Sequence, residues 1–203
     1  MQNFISLDLE TTGFSTDTCD IIEIGAWKIK DGVVIDKFSE LVRPILYIPR
    51  TVQSITGITM DMVADCETIN TIGLEFFDWC EDYPFLGYNL PFDYKFLCVK
   101  GKQLGVDFTL RNTRQGIDVL HLVKKYCSGD SNKLRDVAER FNIDLSNSGQ
   151  FHRANYDAYI TKLVYDRFLF SYPKVFDITT PVVLDTNNGQ YGKVINNDTL
   201  SFN

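Results

Sequence analysis

Three short stretches of the chain hold side chains that could bind cations or move protons. They are Asp8-Leu9-Glu10, Asn89-Leu90-Pro91-Phe92-Asp93 and His152-Arg153-Ala154-Asn155-Tyr156-Asp157. Asp8 and Glu10 close an apolar segment, residues 4–9, that reads as a strand. Residues two apart share a strand face, so both carboxylates project together while Ile5, Leu7 and Leu9 take the other side. Alone, the pair reads equally well as solvated acids at a strand end. Asp93 falls in the first turn after Pro91, where the helix dipole favours an anion, so a helix-capping acid explains it without a site. Asp157 continues into Ile160, Val164 and Phe168 at helical spacing. That puts a carboxylate on or beside a buried face, where a lone charge is costly. His152 is one of two histidines; a simple His–Asp hydrogen bond is the plain alternative, and His121 reads as packing or solvation within an amphipathic helix.

The elements that must position these groups follow from periodicity. Residues 4–9, 21–30 and 33–42 read as three strands of a β-meander, with Asp31-Gly32 as a turn. Residues 68–83 carry Ile69, Ile72, Phe76, Trp79, Cys80 and Tyr83 at helical spacing. Residues 85–88 form a fourth strand candidate, and a helix follows from Pro91 to Gly101 or Leu104. Further helices are expected at 118–126, 133–141 and 155–170. A meander followed by strands alternating with helices predicts an α/β fold, a mixed sheet covered by helices. From about Lys174 the composition turns to Asn, Asp, Thr and Gly. The expected organisation is one domain over residues 1–173 and a tail or small appendage over 174–203. The appendage holds weak strands at 182–184 and 190–195 around an Asn187-Asn188-Gly189 turn.

The 203 residues are 44% hydrophobic and 23% charged, ordinary for a soluble globular chain. No apolar run approaches the roughly 18 residues needed to span a bilayer. No basic-then-apolar leader opens the sequence, so the cytoplasm is the expected compartment. Five scattered cysteines without a C-x-x-C pair argue against a disulfide framework or a thiolate zinc site. A net charge of −7 counts against a broad duplex-tracking surface, but not against a grip on a few nucleotides at a strand end.

Taken together, Asp-x-Glu-Thr-Thr-Gly, Asn-x-x-x-Phe-Asp and His-x-Ala-x-x-Asp, in this order, resemble the DEDDh 3′–5′ exonuclease family. This group contains the proofreading subunit of bacterial replicative DNA polymerase. The resemblance covers about residues 3–170 and includes Ile22-Glu23-Ile24-Gly25-Ala26, Leu41-Val42-Arg43-Pro44 and Ile55-Thr56-Gly57-Ile58-Thr59. It implies a ribonuclease H-like fold, a five-stranded mixed sheet flanked by helices. The fifth strand is expected near 113–117, where Gly116 makes a poor strand former.

The resemblance also implies that four carboxylates, Asp8, Glu10, Asp93 and Asp157, converge. At ~4 Å and an effective dielectric near 20, each like-charged pair costs about 4 kcal/mol, so acids protonate or cations bind. Oxygen ligands favour two Mg²⁺ or Mn²⁺ ions, which clamp the attacking and leaving oxygens of a phosphoryl displacement. By resemblance, Asp8 bridges the ions, Glu10 and Asp157 hold the one carrying the attacking water, Asp93 acts on the leaving-group side, and His152 is the general base. Thr11, Thr12, Gly13 and Phe14 are expected to line the terminal-nucleotide pocket. Phe14 either stacks on a base or packs, and Asn89 either orients substrate or caps a helix. Many relatives carry His where this chain has Thr56.

The expected partner is a single-stranded 3′ end, DNA favoured over RNA, in proofreading or repair. An exoribonuclease of the oligoribonuclease or tRNA-trimming type is the alternative, and an inactive binding module a third reading. A polymerase partner is implied only by the family. A sliding-clamp contact is suggested by the loose motif Asn197, Leu200 and Phe202, although so short a pattern arises easily at any weakly ordered C-terminus.

Overall fold

The computed structural model describes residues 3–106, 116–146 and 151–173, with the backbone of 182–185, 190–195 and 199–202. The expected five-stranded mixed sheet flanked by helices is present. Strands β1 (Phe4–Thr11), β2 (Ile21–Lys30) and β3 (Val33–Leu41) form the antiparallel meander; β4 (Phe85–Gly87) and β5 (Gly116–Asp118) extend it in parallel, giving the order β3-β2-β1-β4-β5. β1 runs to Thr11, so Glu10 lies inside the strand rather than at its end. The fifth strand expected near 113–117 is described over Gly116–Asp118. Gly116 pairs with Phe85 of β4; residues 113–115 lie outside the described residues.

Two short helices, α1 (Arg50–Thr56) and α2 (Met60–Val63), come first, and helices α3 (Ile69–Cys80), α4 (Leu90–Gln103), α5 (Val119–Tyr126), α6 (Leu134–Arg140) and α7 (Ala154–Ser171) follow the predicted periodicities. Gly57 closes α1 in the left-handed conformation, φ 72°, open to glycine without strain.

Alternation along β1 builds a core on each side of the sheet. Ile5, Leu7 and Leu9 pack with Ile24, Phe76, Phe85, Phe96 and Leu97 under α3 and α4. On the opposite face Phe4, Ile29 and Leu86 meet Val119, Val137, Ile160, Val164 and Phe168 of α5, α6 and α7. Burying such side chains is worth roughly 1.5–3 kcal/mol each, so the register of β1 is strongly fixed. A one-residue slip would send Asp8 into the α3–α4 core.

A second sheet pairs β6 (Val182–Asp185), β7 (Gln190–Ile195) and β8 (Thr199–Phe202), all antiparallel. The two weak strands expected there exist, while the turn at 187–189 and Asn197 lie outside the described residues. Leu200 and Phe202 are opposite Val194 and Gly192 in β8. The free tail assumed for a clamp motif is therefore corrected to a paired strand. Among the described residues no helix is long and apolar enough to cross a membrane.

Candidate active site

Ser6, Asp8 and Glu10 turn to the β1 face covered by α7. Ser6 Oγ donates to Ala158 O at 2.6 Å, drawing the helix down onto the strand. Gly25 sits opposite Asp8 in the β1–β2 register. A Cβ there would lie 2.1 Å from Ala154 C and Asn155 N, so only glycine admits the start of α7 this close. Trp27 Nε1, opposite Ser6, donates to Asn155 O at 2.9 Å. Small residues on two strands thus let the first turn of α7 reach the acidic pair. Carboxylate oxygens of Asp8, Glu10 and Asp157 lie within 4.8 Å of one another.

Asp93 arrives from the sheet's other side. β4 pairs with β1 only at Ile5 and Ser6, which leaves Leu9 N–H without a ladder partner. Asp93 Oδ1 accepts it at 3.0 Å, with Asp93 itself 3% exposed. Asp93 keeps the first-turn place expected of a capping acid, its own N–H bonded to its carboxylate, but the carboxylate also reaches back to the strand between Asp8 and Glu10. The cap reading of Asn89 is corrected. Its side chain makes no cap hydrogen bond, and its backbone is left-handed, φ 68°. Asn89 N–H instead donates to Asp118 Oδ1 at 2.9 Å, an oxygen that also accepts Leu120 N–H at 3.1 Å.

His152 is the second left-handed residue at the site, φ 65°, and its side chain is exposed. Such a conformation persists in a non-glycine residue when its surroundings fix it. Here His152 N–H donates to Asp157 Oδ2 at 3.2 Å. The predicted His–Asp contact exists, but through the backbone, with the imidazole on the open side.

Electrostatics express the crowding. Burial, then Asp93, Asp157, Glu10 and Glu23, hold the Asp8 carboxyl well above its ordinary range. Glu10 is pushed up to about 8 by burial and then by Asp157, Glu23 and Asp93. Burial raises Asp93 strongly against the Leu9 N–H. Asp157 rises to about 7, again through burial, although the His152 N–H pulls it down. Among the described residues, buried Asp157 Oδ1 has no hydrogen-bond partner. An all-oxygen cluster with an orphaned carboxylate oxygen, short of positive charge, fits hard divalent cations such as Mg²⁺ or Mn²⁺.

The predicted substrate loop borders this cluster. Thr11 Oγ1 donates to Gly13 O at 2.7 Å, and Thr12 Oγ1 accepts Asp20 N–H at 2.9 Å. The Asp20 carboxylate also binds Lys100 Nζ and Ile45 N–H, pinning the loop to α4. Phe14 is 92% exposed, its ring edge toward Phe92 with centroids 6.2 Å apart. Ordinary packing does not account for it. Thr56 is buried and spends its hydroxyl on Val52 O and Ile58 N–H, so it offers no group to a substrate.

The sequence reading passed over Glu23, Arg153 and Asp118. Glu23 interrupts the apolar run Ile21-Ile22-Glu23-Ile24 of a buried strand. A charge there demands a partner, and that was the available signal. Arg153, beside His152, is that partner. Asp118, an acid just before a helix, carried only an ordinary capping signal.

The match to the exonuclease family model spans residues 5–165, and the chain belongs to this family, as a DnaQ-like member. It is 36% identical over 175 residues to the PolC-type DNA polymerase III of Thermotoga petrophila, covering 85% of this chain and 12% of that protein. It is 31% identical over 162 residues to the 3′-5′ exonuclease DinG of Staphylococcus aureus strain USA300, covering 79% and 17%. The chain thus spans under a fifth of the length of these relatives. The nuclease domain of 3′hExo, a DEDDh family member bound to rAMP, shares the fold at TM-score 0.70 and 20% identity, covering 84% of this chain and 92% of that one.

Proposed function

We propose that the chain is a two-metal 3′–5′ exonuclease that removes nucleoside monophosphates from single-stranded DNA ends in replication or repair. Residues 1–173 form the catalytic domain and 174–203 an appendage. The observation that carries the reading is the gathering of Asp8, Glu10 and Asp157 within 4.8 Å, raised carboxyls included.

When bound, Mg²⁺ or Mn²⁺ would activate a water and stabilise charge on the attacked phosphate. Asp8, Glu10 and Asp157 would hold the ions, with Asp93 on the leaving-group side. The His152 imidazole, at the open rim, accepts the proton of the attacking water. The new bond joins that water oxygen to phosphorus, and the P–O3′ bond breaks. The departing 3′ oxygen takes a proton and becomes the new strand end. Thr11, Thr12 and Gly13 supply polar backbone and hydroxyl groups at the terminal nucleotide, Phe14 a stacking face, and Asn89 a side chain free of cap duties.

The polymerase and exonuclease names of the relatives support DNA and the cytoplasm as the working place. The chain's own acidity agrees with a short grip rather than duplex tracking. RNA is the second reading, because the catalytic groups address only phosphate and a 3′-OH, which both polymers share. Matched single-stranded DNA and RNA, each 5′-labelled, are digested with Mg²⁺ or Mn²⁺. A ladder shortening from the 3′ end, faster on DNA, is expected. Faster RNA loss makes this an exoribonuclease, and no metal-dependent mononucleotide release makes it a binding module.

A further inference from the structure

We infer that Glu23, acting through Arg153, is a positioning residue for His152; this rests on the exonuclease reading above. Glu23 stands directly opposite Glu10 across β1–β2 and on the same face. It is a fifth carboxylate at the edge of the cluster, its side chain 3% exposed. Its oxygens are fully engaged. Arg153 Nε donates to Oε1 and Oε2 at 3.1 Å, Arg153 Nη2 donates to Oε1 at 2.8 Å, and Ala154 N–H donates to Oε2 at 2.9 Å.

These bonds fall on the two residues immediately after His152. A planar guanidinium fork fixes direction as well as distance, which a lysine cannot do. His152 is therefore gripped from both sides. Asp157 takes its own N–H, while Glu23 anchors Arg153 and the first turn of α7. With its backbone left-handed and the residue exposed, the imidazole takes its direction from how the chain at residues 152–154 is held. Arg153 and Ala154 N–H also occupy both Glu23 oxygens, which keeps that carboxylate from joining Asp8, Glu10 and Asp157 as a ligand, although its charge is still felt by all three.

The test combines Glu23→Gln, Arg153→Lys and His152→Ala. Glu23→Gln keeps an acceptor for Ala154 N–H but loses the ionic fork; it should lower kcat roughly 10–100-fold with KM within about twofold. Arg153→Lys, at a partly exposed position, gives the same direction should Glu23→Gln fail to fold. In the His152→Ala background either change should cost almost nothing more, because the residue it positions is gone. The chain has two histidines, so imidazole NMR offers a readout independent of turnover. The His152 signal should shift or broaden in both variants and the His121 signal stay, with Mn²⁺ affinity by calorimetry within about threefold of the parent. Additive losses with His152→Ala, an unmoved His152 signal, or a tenfold loss of Mn²⁺ affinity would overturn the inference. A parent chain that releases no nucleotide sinks the exonuclease reading instead, and the NMR comparison still decides whether Glu23 holds His152.

Discussion

Gly25 lies opposite Asp8, and the space its missing side chain leaves is filled by the Ala154–Asn155 backbone. The start of α7, and with it Asp157, can stand over the β1 acids only because β2 is bare at that point.

Gly25→Ala should therefore damage both fold and site. The new methyl meets backbone atoms on a helix anchored through Ser6, Trp27 and Glu23, which cannot withdraw without breaking those bonds. Overpacking of this kind costs about 1–3 kcal/mol or more, a fall of several degrees in Tm. Displacing Asp157 by ~1 Å should cost roughly a hundredfold in kcat. Thermal melting and turnover of the variant check it; unchanged values would mean that α7 approaches the sheet differently.

Asp93 has two separable duties, and two substitutions divide them. Asp93→Asn keeps an oxygen for Leu9 N–H and removes a charge that burial already disfavours. The metal-free variant should melt at or above the parent temperature while turnover falls by roughly a hundredfold or more. Asp93→Ala leaves the Leu9 N–H buried and unpaired, which costs about 1–3 kcal/mol. If both variants melt alike, the Leu9 contact carries no stability.

The raised carboxyls make metal-free stability fall as pH rises. Burial and the neighbouring acids push Glu10 up to about 8 and Asp157 up to about 7 in the folded chain, from ordinary values of 4.5 and 3.8. Between about 4 and 8 the folded state therefore binds more protons than the unfolded one, and stability drops with pH. Divalent cations replace those protons. The rise in Tm produced by Mn²⁺ should thus be larger at pH 8 than at pH 5.5, with protons released on binding. Melting curves at both pH values test this. Glu10→Gln should flatten the metal-free slope, and a slope of opposite sign would show that the acids are not clustered in solution.

Much of this site was legible in the sequence for a physical reason. Period-two alternation assigned Asp8 and Glu10 to one face, and period-3.6 alternation set Asp157 beside a buried stripe. Neither signal carries distance between elements. That the Asp93 carboxylate reaches Leu9 depends on β4 stopping after three residues, which local sequence does not reveal. The left-handed turns at Asn89 and His152 are set by Asp118 and Asp157, contacts that exist only after folding. β5 was hard to bound because strand propensity penalises Gly116, whereas pairing with β4 decides the matter. The strand at 199–202 was missed for a similar reason: Thr199-Leu200-Ser201-Phe202 alternates polar and apolar residues, but over too few residues to stand alone, and pairing with β7 defines it.

Phe14 offers the cleanest separation of binding from folding. At 92% exposure its ring contributes little to the core, so Phe14→Ala should change stability by no more than about 0.5 kcal/mol. Stacking on a terminal base is worth about 1–3 kcal/mol, so KM for single-stranded DNA should rise roughly 5–150-fold with a smaller change in kcat. An abasic 3′-terminal nucleotide gives the control. The parent should bind it more weakly than an intact end, whereas Phe14→Ala should barely distinguish the two. Equal discrimination in both proteins would assign base stacking elsewhere and leave Phe14 only its contact with Phe92.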